Sequence, residues 1–183
     1  MDKLLSLKNA IKIYRAFDIR TEINAVIATV FDALTTVKGL NSWWTESAKA
    51  DCREGGKVEY CWKMGAQSVT GKARYRKFQL PYFFEVEYEK WESDENFQIS
   101  IAKQAHAQPI VHRFELEELP AGKTAVYLCC SGMKFGSEYD EFYKNTYLGW
   151  KNSLANLKSV CERGIDLRSE LKAITFRTKT KPV

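Results

Sequence analysis

The chain has 183 residues, 45% hydrophobic and 28% charged, with a formal net charge of +5. This is a globular profile, long enough to bury a core without metal or disulfide staples, and it excludes a disordered or fibrous chain. No apolar run approaches the roughly eighteen residues of a bilayer span, and residues 1–8 lack the apolar core of a secretory signal, so a cytoplasmic protein without a membrane span is expected.

Residues 10–23 carry Ile11, Ile13, Phe17, Ile19 and Ile23 at period two, which predicts a first strand. Asn24 is a candidate cap for a short helix with Val26, Ile27, Val30, Phe31 and Leu34 on one side. Gly39 and the Trp43-Trp44 pair mark a second short helix or turn; one tryptophan is expected to seal the core and the other to meet a cavity mouth or a partner. Alternation then predicts six strands. Val58, Tyr60, Trp62 and Met64 face inward opposite Glu59 and Lys63; Ala73 and Tyr75 alternate with Lys72, Arg74 and Arg76; Phe84, Val86 and Tyr88 alternate with Glu85, Glu87 and Glu89. Further inward sets are Phe97, Ile99 and Ile101, then Ile110, His112, Phe114 and Leu116, and finally Val126, Leu128 and Cys130. One apolar face per strand means an antiparallel sheet covered on one side. The cover is a closing helix over 145–163, with Trp150, Leu154, Leu157, Val160 and Cys161 at helical spacing and Gly164 as its stop.

Cys52, Cys61, Cys129, Cys130 and Cys161 form an odd set without Cys-x-x-Cys spacing, so reduced, mostly buried thiols are expected. Cys129 and Cys130 should point to opposite faces of their strand. The positive charge is interleaved with acidic residues, as in 72–77 and 85–90, and no nucleic-acid motif accompanies it. Only the end is asymmetric: Arg168, Lys172, Arg177, Lys179 and Lys181 outnumber Asp166 and Glu170, which reads as a solvated tail. Nucleic acid is not an expected partner.

Strand, two short helices, six strands, long helix is an order similar to the helix-grip fold of the START-like (SRPBCC, birch-pollen-allergen-like) superfamily. Four stretches resemble its branch named for activators of the heat-shock protein 90 ATPase: Ile23-Asn-Ala-Val-Ile-Ala-Thr-Val-Phe-Asp-Ala-Leu-Thr35, Leu40-Asn-Ser-Trp-Trp44, Gly55-Gly56-Lys57-Val58, and Gly149-Trp150 with Leu154, Leu157 and Glu162-Arg163-Gly164. The resemblance implies an α+β fold, a curved seven-stranded antiparallel sheet wrapped round the C-terminal helix. It sets the domain at 10–164, followed by a basic tail at 165–183 in which 173–178 could form an added strand. It also implies a ligand-sized cavity between sheet and helix. Chaperone stimulation is expected less, because the activators carry an additional N-terminal domain that 183 residues do not accommodate.

Candidate cavity residues are Trp44, Tyr60, Trp62, Tyr75, Phe84, Tyr88, His112 and Phe114, with Phe142, Tyr143, Tyr147 and Trp150 from the helix. Such rings either pack a core or line a pocket, and Tyr60, Tyr75 and Tyr88 could donate hydrogen bonds to a hydrophobic ligand. His112, facing inward, is the leading polar candidate: it orients a ligand, acts as an acid or base, or sits satisfied in the core. His106 is expected in solvent, and Arg113 with Glu115 on the outer face. A pairing of Cys129 with His112 across strands is a further candidate, although no catalytic nucleophile, cofactor or metal is predicted. The expected function is binding of a small hydrophobic or amphipathic molecule. A chaperone or other protein partner and a polyketide-cyclase-like enzyme using His112 are the alternatives, in a monomer or homodimer.

Overall fold

Alternating strands whose polar faces carry charge can bury only one side, and the arrangement they adopt follows from that. The computed structural model describes residues 14–64, 67–92 and 109–171. In it β1 (Tyr14–Ile23) is followed by α1 (Ile27–Thr35), α2 (Val37–Trp43), β2 (Ser47–Ala50), β3 (Lys57–Met64), β4 (Gln67–Gln79), β5 (Phe83–Glu92), β6 (Val111–Leu119), β7 (Lys123–Lys134) and α3 (Asp140–Arg163). The strands form one seven-stranded antiparallel sheet in the order β1-β7-β6-β5-β4-β3-β2, curved round α3 as in a helix-grip fold. No described helix is long and apolar enough to cross a membrane.

The inward faces of β6 and β7 are as alternation predicts: His112, Phe114 and Leu116, and Val126, Leu128 and Cys130, are all buried. On the outer face Arg113 pairs with Glu115, Arg74 with Glu89 and Lys72 with Glu92. Two irregularities break the alternation. Ala73 pairs with Tyr88 but Lys72 with Lys90, so Glu89 is an extra residue in β5 and Trp91 returns to the inner face. Tyr75 pairs with Val86 but Lys77 with Glu85, so Arg76 is extra in β4 and Phe78 joins Tyr75 against the core.

Helix α3 buries Trp150, Leu154 and Leu157, each contributing about 1.5–3 kcal/mol relative to exposure. It ends at Gly164, whose φ of 69° is left-handed and whose N–H donates to the Val160 carbonyl at 2.9 Å. Arg15 ties the helix start to the sheet, its Nη1 donating to Asp140 Oδ1 at 2.6 Å and its Nε to the Lys134 carbonyl at 3.2 Å.

Several expectations need correction. Asn24 does not cap α1. Val26 is the capping position with no side-chain bond, and it is exposed, while the Asn24 N–H donates to Glu162 Oε1 at 2.7 Å. Side-chain capping occurs one helix later, where Thr36 Oγ1 accepts from the Gly39 N–H at 3.0 Å. Strand β2 was not foreseen, because Ser-Ala-Lys-Ala is too short and polar to show a period. The predicted strand at Phe97, Ile99 and Ile101, together with Ile11, Ile13, His106 and residues 173–178, lies outside the described residues. The cysteines are all free, but only Cys130 is buried and Cys52 is exposed. Arg168 is no solvated tail charge: its Nη1 donates to the Thr45 carbonyl at 2.6 Å and its Nη2 to that of Asn41 at 3.0 Å.

Candidate ligand-binding site

All five tryptophans of the chain come together at one end of the space between sheet and α3. Trp43, buried at the end of α2, donates from Nε1 to the Ala33 carbonyl at 2.8 Å and is held as core. Trp44 stacks beside it with centroids 5.6 Å apart, then meets Trp62 at 5.1 Å, Trp150 at 4.9 Å and Tyr60 at 4.7 Å. Trp62 stacks on Trp91 at 5.7 Å, and Trp91 on Tyr88 at 4.7 Å and 5°. Trp44, Trp62 and Trp91 are half-buried, whereas Tyr60, Tyr88, His112 and Trp150 behind them are buried. The cluster thus has an accessible wall and a closed back.

The floor depends on one residue. Gly71 pairs with Tyr60 on one side and Trp91 on the other. A Cβ there would lie 3.1 Å from the rings of Trp91 and Tyr88 and 3.2 Å from that of Trp62. A side chain there would press on all three rings and make them give by a few tenths of an ångström, so glycine favours their close convergence.

The remaining candidates divide. Tyr75, Phe84 and Phe114 form a closed end, packed on Phe31 and Phe78 with centroids 4.7–6.3 Å apart. Phe114 also reaches Trp150 at 5.7 Å, linking the two ends. Tyr143 and Tyr147 sit on the first half of α3 against Phe17 of β1, at 5.8 and 5.3 Å, and Phe142 is half-buried against the core. Trp91, Phe78 and Gly71 were missed by alternation. The signal available for Trp91 was a ring following two consecutive charges, Glu89 and Lys90, where strict alternation fails.

One polar group at the back lacks the partner that burial normally demands, and a second polar group, His112, lies against it. The Tyr88 hydroxyl is buried with no hydrogen-bond partner among the described residues. His112 lies edge-on to both Tyr88 and Trp150, each 4.8 Å away. Burial alone lowers its pKa to about 3, so the ring is neutral at physiological pH. The hydroxyls of Tyr60, Tyr75 and Tyr88 are all held protonated by burial, and that of Tyr75 donates to the Thr35 carbonyl at 3.4 Å.

The proposed Cys129–His112 pairing does not form. The cross-strand partner of His112 is Cys130, while Cys129 pairs with Arg113 and faces Asp18 on the outside. Burial pushes both thiols up, Cys129 to about 11, so neither is an activated thiolate. Among the described residues no group of three His, Cys, Asp or Glu is placed to hold a metal ion. A separate hollow of about 580 Å³ opens on the other side of the sheet beside Tyr14, Arg76, Glu85, Val111 and Ser131, and none of the predicted cavity residues lines it.

The family model described as "Activator of Hsp90 ATPase homolog 1-like protein" matches residues 24–162. No curated protein matches the sequence. Similar solved structures include the Aha1 dimer from Colwellia psychrerythraea, with a TM-score of 0.60 and 19% identity, covering 82% of this chain and 98% of that one. A protein from Staphylococcus epidermidis matches with a TM-score of 0.63 and 18% identity, over 82% and 92% of the two chains. CalU16 from Micromonospora echinospora matches with a TM-score of 0.59 and 16% identity, over 90% and 83%. At these identities the likeness is one of fold.

Proposed function

The chain belongs to the family of activator of Hsp90 ATPase homolog 1-like proteins, and from that premise we propose that it binds a small hydrophobic or amphipathic molecule between its sheet and α3. The observation that carries this reading is the half-buried wall of Trp44, Trp62 and Trp91 in front of Tyr88 and His112. Apolar walls with a few placed polar groups are the usual make-up of small-molecule sites. Covering three half-buried indoles removes apolar area from water at about 25 cal/mol per Å², which is the driving force for binding.

The chemistry argues for binding rather than turnover. A general base works best with a pKa near the operating pH, and a histidine at about 3 is far too weak a base for that role. His112 therefore orients a ligand in this reading. The site would act in the cytoplasm as a carrier or sensor of its ligand.

A protein partner is the second reading, favoured by the exposed Leu80 and Tyr82 at the β4–β5 turn and by the relative from Colwellia psychrerythraea being a dimer. Native mass spectrometry of the protein as purified, followed by denaturation, separates the two. The binding function predicts a co-purifying small molecule released on denaturation. A bare chain that appears only as a dimer or with a protein partner would favour the second reading.

A further inference from the structure

Resting on that binding function, we propose that the polar end of the ligand is an uncharged hydrogen-bond acceptor, such as a ketone or ester oxygen, that takes the hydrogen bond offered by the Tyr88 hydroxyl beside His112. Tyr88 is 4% exposed, and its hydroxyl has no partner among the described residues. A buried hydroxyl left unbonded costs about 1–3 kcal/mol, and an acceptor brought in by a ligand recovers it. Its ring is fixed from two sides, stacked on Trp91 at 4.7 Å and edge-on to His112 at 4.8 Å, so the hydroxyl is pre-positioned.

The requirement that the acceptor be uncharged follows from where the cations lie. On the strands that build the site, Lys72, Arg74, Arg76 and Arg113 belong to the outer face, each paired with a glutamate there. Lys63 pairs with Glu46 and Lys90 with Glu92, and Lys57 and Lys77 are exposed. Among the described residues, the inward neighbours of Tyr88 and His112 include Tyr60, Val86, Ile110, Phe114, Cys130 and Trp150, none of them a cation. His112 adds no positive charge, since burial keeps its ring neutral. A carboxylate carried to this depth would be an unpaired buried charge, a far larger penalty than one hydrogen bond repays. A neutral oxygen meets a donor in Tyr88 and carries no such penalty.

The test is a matched series of naphthalene, 2-acetonaphthone and 2-naphthoate, titrated into the full chain and its Tyr88→Phe variant. Binding is read from the indole N–H resonances of the five tryptophans. The ketone should bind about 3–10-fold tighter than naphthalene, the equivalent of one neutral hydrogen bond, with the carboxylate weakest. Tyr88→Phe should erase the advantage of the ketone over naphthalene. Tighter binding of naphthoate, or a ketone preference that survives Tyr88→Phe, would overturn the inference while leaving the binding function standing. No binding by any of the three would overturn the binding function and the inference with it. The comparison within the unaltered protein keeps the test decisive even if the variant folds poorly.

Discussion

His112 couples the candidate site to pH. An unfolded histidine titrates near 6.5, whereas this one is held at about 3 by burial. Its folded pKa is depressed, so the unfolded chain takes up the proton first as pH falls. The contribution is fully present above about 6.5 and is lost toward 3, at about 1.4 kcal/mol per pH unit in that window. Between pH 7 and pH 5 the protein should therefore lose about 2 kcal/mol more stability than a His112→Phe variant, as measured by urea unfolding. Parallel losses in the two proteins would mean that His112 is not buried as a neutral ring.

At the level of elements, the segment following α3 is locked to α2 through one buried amide. Asn156 Nδ2 donates to the Trp43 carbonyl at 2.6 Å and to Asp166 Oδ1 at 2.9 Å, and its Oδ1 accepts from the Leu167 N–H at 2.6 Å. Arg168 completes the attachment on the Thr45 and Asn41 carbonyls. This latch holds the carbonyl of the tryptophan next to Trp44, and so it positions the wall of the site. Asn156→Ala removes three bonds at about 0.5–1.5 kcal/mol each and should destabilise by about 2–4 kcal/mol in denaturant unfolding. A loss under about 0.5 kcal/mol, the scale of an ordinary surface change, would show that the latch holds nothing.

The same elements show what was legible beforehand. Strands β6 and β7 pair with each other without a bulge, so period two assigned His112, Phe114, Leu128 and Cys130 to the core correctly. Strands β4 and β5 carry the two extra residues, and a bulge inverts every later side chain; this is why Phe78 and Trp91 were not expected inside. The burial of Asn156 was not legible, since it depends on Asp166 and Leu167 folding back onto it. Local pattern reports faces, but not which distant segment will cover them.

For the molecule as a whole, the helix-grip arrangement brings indoles from α2, β3, β5 and α3 to one place although they are widely separated in sequence. The closed aromatic end around Phe31, Tyr75 and Phe84 is buried core, and the half-buried end is where the proposed ligand would sit. That division is the central claim, and the tryptophans report on it directly because every one lies in the cluster. The decisive measurement is intrinsic tryptophan emission during titration with 2-acetonaphthone. The account predicts a saturable loss of emission with one-to-one stoichiometry. Emission that stays flat, or falls linearly without saturation as in collisional quenching, would contradict a binding site there.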